Sequence, residues 1–283
     1  MMAAVAKPGT LSRMSTTIKL AVHGAAGRMG RRVVALASED NSLQIVSAID
    51  HESNPRIGQD AGVIAGFAPI GVNLTSAWPE EDVDVVIDFS LPEAIDRCIE
   101  NCVEATLPLV VATTGLSEAQ QAKLKAAGEL IPVVWAPSMS LAVNLTMKLA
   151  AEVAETLDDV TGGLDVEIIE RHHRFKTDAP SGTALKFGEL IAKKLGPETR
   201  HVHGREGQTG ERTQSEIGYH AVRVGDNPGE HTIVFGMLGE RIELKVAASN
   251  RDCYASGAIA AAKWLIGRPK GIYNMFDVLG LDA

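Results

Sequence analysis

The stretch TIKLAVHGAAGRMGRRVVALASED, residues 17–40, decides the fold of the N-terminal half of the chain. It begins as an apolar run that ends in glycine and continues as a helical pattern of apolar and basic residues. Between the two lie Gly24, Gly27 and Gly30, which allow backbone N–H groups at the start of the helix to approach a phosphate. The stretch therefore predicts a strand, a glycine turn and a helix that together hold a dinucleotide.

Four further apolar runs follow this unit, with room for helices between them. They are LQIVSAID (43–50), VDVVIDFS (83–90), LPLVVATT (107–114) and PVVWAPS (132–138). Near-continuous apolar runs are typical of strands that are buried on both faces of a parallel sheet. The alternation predicts an α/β domain with a Rossmann-like, doubly wound parallel sheet over residues 17–142. We interpret residues 1–16 as a flexible tail.

The second half of the chain has a different pattern. A long helical segment at 141–157 leads into closely spaced strand-like runs, which are DVEIIERHH (165–173), GYHAVRVG (218–225), HTIVFGML (231–238) and RIELKVAA (241–248). Strands grouped in this way predict an α+β domain with a mostly antiparallel sheet, which we assign to residues 143–251. Residues 252–283 are expected to return to the dinucleotide-binding domain.

Composition excludes several classes of function. The 283 residues carry a formal net charge of -9, so the chain lacks the broad basic surface that non-specific nucleic-acid binding needs. No apolar run reaches the roughly 18 residues of a membrane span, and the start lacks the apolar core of a secretory signal. Three cysteines do not make a disulfide framework, and no set of metal ligands stands out. We expect a cytoplasmic protein with no metal and no membrane partner.

Asp50 bears on the choice of cofactor, because it ends the second strand about 20 residues after the glycine turn. A carboxylate at this position accepts a hydrogen bond from the adenosine 2′-hydroxyl and repels a 2′-phosphate, which favours NADH. Arg28 and His51 lie close by in the sequence and offer positive charge to a phosphate. The residues therefore leave NADH, NADPH or both as the cofactor.

Two later strand ends are candidates to line the nicotinamide pocket, because ligands of open α/β sheets bind at the carboxyl ends of strands. These ends are ATTG (112–115) and APSMS (136–140). The full set of candidate cofactor residues is Gly24, Ala25, Ala26, Gly27, Arg28, Met29, Asp50, His51, Ala112, Thr113, Thr114, Ala136, Pro137, Ser138 and Met139.

The stretch ERHHRFKTDAPSGTA (170–184) concentrates basic side chains in an acidic chain, which indicates an anionic ligand. A helix is predicted to open at Ser181. The backbone N–H groups of Gly182 and Thr183 can then hold a carboxylate at its N-terminus. His172 and His173 can both face this site only if the strand ends there, since adjacent residues on a strand point to opposite faces.

The longer segment EIIERHHRFKTDAPSGTAL (167–185) resembles the signature of the 4-hydroxy-tetrahydrodipicolinate reductase (dihydrodipicolinate reductase) family. The resemblance extends to GAAGRMG, VVIDFS, ATTG, REGQTGER, GEHT and FDVLGL, and covers nearly everything after residue 17. It implies a Rossmann-like domain, a second domain for substrate binding and tetramerisation, and reduction of a cyclic dicarboxylate by NADH or NADPH in the diaminopimelate pathway to lysine. A homotetramer is therefore expected.

The resemblance also implies roles for single residues. Lys176 is the expected proton donor and His172 a proton donor or acceptor. His173, Lys176, Ser181, Gly182 and Thr183 are expected to bind the substrate, while Glu170 and Asp178 orient or neutralise the cluster. His231, in GEHT, is interpreted as a structural residue.

Two departures from the family pattern weaken parts of this assignment. His51 replaces an arginine that some members carry after the ribose-binding acid, and Ser138 replaces a common asparagine. Two other functions stay open: a different nicotinamide-dependent dehydrogenase on the same scaffold, and a non-enzymatic sensor of dinucleotides. The first does not require the stretch 172–183, and the second needs no proton donor.

Overall fold

The computed structural model describes residues 17–79 and 82–281, so the tail expected at residues 1–16 lies outside the described residues. Strands and helices alternate through the first half of the chain. They are β1 (Ile18–His23), α1 (Arg28–Ser38), β2 (Leu43–Ile49), α2 (Ala61–Ile64), β3 (Leu74–Thr75), β4 (Val85–Asp88), α3 (Pro92–Glu104), β5 (Leu109–Val111), α4 (Glu118–Gly128) and β6 (Pro132–Trp135).

The second half opens with the longest helix and then groups its strands. Its elements are α5 (Leu141–Leu157), β7 (Asp165–His172), α6 (Gly182–Leu195), β8 (Arg200–His203), β9 (Glu216–Arg223), β10 (Glu230–Met237), β11 (Glu240–Ala247), α7 (Asp252–Leu265), β12 (Gly271–Tyr273) and α8 (Met275–Leu279). Among the described residues, no helix is both long and apolar enough to cross a membrane.

The first sheet has seven strands in the order β12-β6-β5-β4-β1-β2-β3, and every pair is parallel. Its central strands are buried on both faces, and all four residues of β4 are buried. This burial explains the near-continuous apolar runs, because helices cover both sides of the sheet. The predicted Rossmann-like parallel sheet is confirmed. Its carboxyl edge brings together the ends of β1, β4, β5 and β6.

The second sheet has the order β11-β10-β7-β9-β8. Strand β10 runs antiparallel to β7 and β11, whereas β9 runs parallel to β7 and β8. The sheet is therefore mixed, with antiparallel pairing in the majority of its paired residues, as the grouped strands predict. Helices α5 and α6 cover one face, where Phe187 and Phe235 are fully buried in a separate core.

Helix α7 carries the chain from the second sheet back to the first. Its residues Ala258 and Ala262 belong to the same buried core as Val33 and Val34 of α1. At the start of α7, the Asp252 carboxylate accepts two hydrogen bonds from one arginine of α1, at 2.6 and 3.0 Å. Strand β12 then extends the edge of the first sheet beside β6.

Candidate active site

The glycine turn after β1 lets neighbouring backbone segments approach one another closely, because its glycines have no side chains. Gly24 has a φ of +75°, and a Cβ there would lie 2.6 Å from the carbonyl oxygen of Phe89. A Cβ on Gly30 would lie 2.1 Å from the carbonyl oxygen of Gly24. Helix α1 can therefore start directly against the turn, and its first N–H groups have no partner inside the helix. The residues that carry them, Gly27 to Met29, line a groove between the two halves of the chain. This cradle fits a pyrophosphate.

Asp50 lies beside this turn and is held in place by three hydrogen bonds. Its carboxylate accepts from the backbone N–H groups of Ala26 at 3.0 Å and His51 at 2.9 Å, and from Asn54 Nδ2 at 3.0 Å. A carboxylate offers about four acceptor positions, so one remains for a ribose hydroxyl. The His51 ring is exposed, and its Nδ1 lies 2.7 Å from the Ser53 hydroxyl.

Sequence reasoning missed a buried cluster under the cofactor groove. Asp88, at the end of β4, is fully buried and accepts a hydrogen bond from His23 Nδ1 at 2.6 Å. Its other oxygen accepts one from the Thr113 hydroxyl at 2.5 Å. The cluster ties together the carboxyl ends of β1, β4 and β5. An aspartate at the end of the apolar run VVID was the signal for it.

The same cluster supplies the one group of three potential metal ligands found among the described residues. Atoms of His23, Asp88 and Cys98 lie within 4.8 Å of one another. The imidazole and carboxylate already bond directly to each other, and this hydrogen bond accounts for the approach of two of the three groups.

The residues around β6 form a further wall. Ser138 and Met139 are buried at the lip of the groove, and Asn144 Nδ2 donates to the carbonyl oxygen of Ser138 at 2.9 Å. Of the predicted cofactor residues, Ala25 and Ala136 do not line the groove, because both are buried beneath it. The other predicted cofactor residues line it.

The substrate-side residues come from the end of β7 and the start of α6. Strand β7 ends at His172, so His172 and His173 both line the groove despite being adjacent.

Ser181 is the N-cap of α6, and its hydroxyl accepts a hydrogen bond from the backbone N–H of Ala184 at 3.2 Å. Gly182 and Thr183 are the first two residues of the helix, so their N–H groups lack helical partners. A Cβ on Gly182 would meet no atom within 4 Å, so the space above it is open.

Lys176 lies in the loop between these elements, and its Nζ is 2.8 Å from the Asp178 carboxylate. Burial raises the pKa of Asp178, but the hydrogen bond from Lys176, a backbone hydrogen bond and the charges of Lys176 and Arg223 together outweigh this effect, so the net pKa is lowered. The ammonium therefore has a fixed anionic partner at the edge of the groove. Phe175 beside it is 77% exposed.

His231 lies behind His172, and the two rings meet edge to face with centroids 5.3 Å apart. Its Nε2 is 3.1 Å from the Ser181 hydroxyl. Burial lowers the pKa of His231 to about 4, so the ring is neutral near pH 7. The ring does not line the groove. This position agrees with a structural residue, although one that directly supports the site.

One groove of about 1840 Å³ is lined by residues from both halves of the chain. The glycine turn, Asp50 and the segments after β5 and β6 form one wall, and the segment 172–183 forms the other. A dinucleotide cradle that faces a cluster of imidazoles and an ammonium defines a nicotinamide-dependent oxidoreductase that acts on an anionic substrate.

Similarity to known proteins specifies the family. The profile described as "Dihydrodipicolinate reductase, N-terminus" matches residues 18–139, and that described as "Dihydrodipicolinate reductase, C-terminus" matches residues 142–279. The chain belongs to the dihydrodipicolinate reductase family. It is 68% identical to the 4-hydroxy-tetrahydrodipicolinate reductase of Rhodopirellula baltica, over 94% of this chain and 97% of the relative. It is 46% identical to that of Alkalilimnicola ehrlichii, over 94% and 100%.

A solved structure supports the same assignment. The dipicolinate-bound dihydrodipicolinate reductase from Paenisporosarcina sp. TG-14 superimposes with a TM-score of 0.74 at 25% identity, over 92% of this chain and 98% of that one. GenD2 from gentamicin A biosynthesis, in complex with NAD, shares the fold alone, with a TM-score of 0.59 at 17% identity.

Proposed function

We propose that this enzyme reduces 4-hydroxy-tetrahydrodipicolinate to tetrahydrodipicolinate with NADH or NADPH, in the diaminopimelate pathway to lysine. The observation that carries the proposal is the single groove in which the glycine turn faces the segment 172–183. Family membership supports the same reaction. A dehydrogenase of another specificity would not require the His-His-Lys cluster, and a sensor would not require a proton donor.

Substrate binding uses the start of α6. The N–H groups of Gly182 and Thr183, with the Thr183 hydroxyl, hold one ring carboxylate at the helix N-terminus, where the helix dipole favours negative charge. His173 and Lys176 meet the other carboxylate from the loop. Ser181 orients the helix start through its capping hydrogen bond. Charge-assisted hydrogen bonds of this kind contribute about 1.5–3 kcal/mol each.

Proton transfer is assigned to two residues. The 4-hydroxyl leaves as water when it takes a proton and the adjacent ring carbon gives one up, which forms the conjugated ring. When bound, the nicotinamide would supply a hydride to position 4 of that ring. Hydride transfer moves electron density toward the ring nitrogen, and Lys176 donates the proton that neutralises it. Its pairing with Asp178 at 2.8 Å holds the ammonium at the groove. His172 accepts or donates a proton in the same step.

The cofactor is proposed to bind along the carboxyl edge of the first sheet. The N–H groups from Gly27 to Met29 would hold the pyrophosphate, and Asp50 would accept a hydrogen bond from the ribose hydroxyl. Thr114, Pro137 and Ser138, which also line the groove, would lie at the nicotinamide end. The hydrogen bonds that Asp50 already accepts keep its carboxylate pointed at the ribose position. The exposed His51 makes a modest contribution to binding of a 2′-phosphate.

Domain organisation, assembly and location complete the proposal. Residues 17–142 form the dinucleotide-binding unit, 143–251 the substrate and assembly unit, and 252–283 the return to the first. The outer edge of β11 supports assembly, because its residues are largely exposed and no strand of the described residues pairs with that edge. Such an edge favours pairing with another chain. We propose a cytoplasmic homotetramer, which light scattering would test as a particle of four times the monomer mass.

The test of the proposed reaction generates the substrate in situ, by condensing pyruvate with aspartate semialdehyde in the presence of the preceding synthase. Loss of reduced-nicotinamide absorbance is followed with NADH and NADPH in parallel. We expect rapid oxidation that depends on the synthase. Folded enzyme that binds either cofactor without oxidising it would reject the proposed substrate and favour the sensor.

A further inference from the structure

Glu170 is an acidic residue at the centre of the basic cluster, yet it is only 1% exposed and does not line the groove. Its carboxylate accepts four hydrogen bonds. They come from His172 Nδ1 at 2.6 Å, the backbone N–H of Ser181 at 3.0 Å, and Arg223 Nη1 and Nη2 at 2.8 and 2.7 Å. A buried carboxylate with this many donors is a fixed anion.

Arg223 fixes this anion from the neighbouring strand β9. Besides its two bonds to Glu170, Arg223 Nη2 donates to the backbone carbonyl oxygen of Asp178 at 2.6 Å. Burial raises the pKa of Glu170, but the hydrogen bonds from Arg223, His172 and the Ser181 backbone, together with the charge of His172, outweigh this effect and the net pKa is lowered. Glu170 therefore stays ionised, and its geometry links β7, β9, the 178–181 turn and the start of α6.

The contact with His172 decides which ring nitrogen can act. Because Nδ1 donates to Glu170, Nε2 is the nitrogen left for a ligand. Nε2 lies close to the backbone at Gly229, where a Cβ would be only 3.0 Å away. The ring is thus confined on one side by a residue without a side chain and on the other by a carboxylate. A rotated ring would leave the buried carboxylate without one of its donors.

Resting on the function proposed above, we propose that Glu170, held by Arg223, is a positioning residue for His172. It fixes the tautomer with a proton on Nδ1, directs Nε2 to the substrate, and sets the pH at which the ring exchanges its proton. The charged and titratable groups close to His172 are Glu170 on its own strand, Lys176 from the loop, Arg223 on β9, His231 on β10 and the Tyr254 hydroxyl on α7. Among these groups, Glu170 alone carries negative charge.

The sign of the effect follows from these neighbours. Burial lowers the pKa of His172, Glu170 raises it, Lys176 and Arg223 lower it, and the net pKa is lowered. Glu170→Gln keeps the shape of the side chain and removes its charge. The ionisation of His172 should then move to lower pH by about one unit or more. Turnover should fall about 10- to 100-fold, the range that one charge-assisted hydrogen bond supplies.

The experiment follows the His172 ring directly, by NMR titration of enzyme labelled at histidine Cε1, with the signal assigned through its loss in His172→Gln. The pH dependence of kcat/KM is recorded in parallel. Glu230→Gln is the matched control, since it removes a carboxylate from the neighbouring strand that pairs with Arg171 at 2.8 Å. In Glu230→Gln, we expect the His172 ring to titrate as in the wild type and turnover to stay within about twofold of the wild type.

A second variant separates charge from position. Glu170→Asp keeps the carboxylate and withdraws it by one methylene, so the titration should stay near that of the wild type while turnover falls about tenfold. Should Glu170→Gln fail to fold, this variant carries the test, and undiminished turnover in folded Glu170→Asp would overturn the proposal. An unshifted His172 titration in folded Glu170→Gln would also overturn it. Loss of the coupled reaction in the wild type would instead reject the proposed function, because the titration does not depend on turnover.

Discussion

At the scale of single residues, Lys176 is the side chain on which the proposed chemistry depends most. Lys176 lines the same groove as Gly182, and its ammonium is paired with Asp178. Replacing it by alanine removes the proton donor, so turnover should fall roughly 10²- to 10⁴-fold in the synthase-coupled assay. Lys186→Ala is the control, because that lysine pairs with Glu189 on the surface of α6. Normal turnover of Lys176→Ala would exclude its proposed role.

The choice between NADH and NADPH is a second residue-scale question. His51 is exposed and follows Asp50, the proposed ribose ligand, so an arginine there would reach a 2′-phosphate with a charge-assisted fork. In His51→Arg, the ratio of kcat/KM for NADPH to that for NADH should rise about tenfold or more. His51→Gln is the control and should not raise this ratio. An unchanged ratio in His51→Arg would place the 2′-phosphate elsewhere.

The buried His231 makes stability depend on pH. Burial lowers its pKa to about 4 from an ordinary value of 6.5, which the ring regains on unfolding. The contribution of the neutral His231 ring to the free energy of unfolding is therefore complete above pH 6.5 and is lost as the pH falls from 6.5 to 4. The free energy of unfolding should fall by roughly 2 kcal/mol from this residue between pH 7 and pH 5.

Urea unfolding at the two pH values measures this dependence. His231→Gln, which keeps a polar atom near Ser181, should be less stable at pH 7 but should lose less stability at pH 5. The exposed His203→Gln should behave as the wild type at both. An equally steep pH dependence in His231→Gln would assign the effect to other groups.

Single residues also show where sequence reasoning stops. His172, Lys176 and Asp50 are predicted as site residues because each stands in a dense motif or at a strand end. Arg223 lies in an ordinary strand pattern, 53 positions from Glu170. Its role exists only because β9 pairs beside β7, and no local pattern encodes that pairing.

At the scale of elements, the packing of α7 controls the wall of the cofactor groove. A Cβ on Gly257 would lie 1.7 Å from the carbonyl oxygen of Met139, so the helix rests directly on the segment after β6. Gly257→Ala should displace this segment, raise KM for the reduced nicotinamide at least severalfold and lower the free energy of unfolding by about 1–3 kcal/mol. Gly236→Ala is the control, since its nearest neighbour would lie at an ordinary 3.6 Å. Steady-state kinetics and urea unfolding measure both, and wild-type values for Gly257→Ala would show that the segment adapts.

Element prediction succeeded where one periodicity dominates. The strands of the first sheet read as apolar runs because they are buried on both faces, and the helix predicted at 141–157 matches α5. Strand β12 was missed, because it has three residues and pairs only with β6, far away in sequence. The parallel pairing of β9 with β7 was not specified either, since alternation defines a strand but not its neighbour.

At the scale of the whole molecule, the two predicted clusters meet across one groove. The sequence predicts both a dinucleotide turn, which ends at Gly30, and an anion site, which begins at Glu170 more than 130 positions later. It did not specify how the second sheet is placed above the carboxyl edge of the first. That placement depends on α5 leaving and α7 returning beside the same edge, with α7 packed on α1. Such long-range packing is a property of the assembled fold and not of any motif.

The size of the groove leads to the last prediction, which concerns domain closure. Its walls carry two large apolar side chains that are mostly exposed, Leu91 at 68% beside α3 and Phe175 at 77% beside Lys176. Hydride transfer needs reacting atoms about 3–3.5 Å apart and little water between them. Binding of reduced nicotinamide together with a planar ring dicarboxylate that cannot be reduced should therefore close the groove and cover both side chains.

Small-angle X-ray scattering measures this closure as a decrease in the radius of gyration. We expect the decrease with both ligands present and a smaller one with either ligand alone, because each ligand occupies only one wall. Phe175→Ala removes apolar contact from the closed state alone. Whichever ligand is added first should therefore bind as it does to the wild type, and the ligand added second should bind more weakly. Ile57→Ala is the matched control, since that side chain is exposed but does not line the groove. An unchanged radius of gyration in the ternary complex would mean that the groove is already at its working width, and the exposed phenylalanine would then need another explanation.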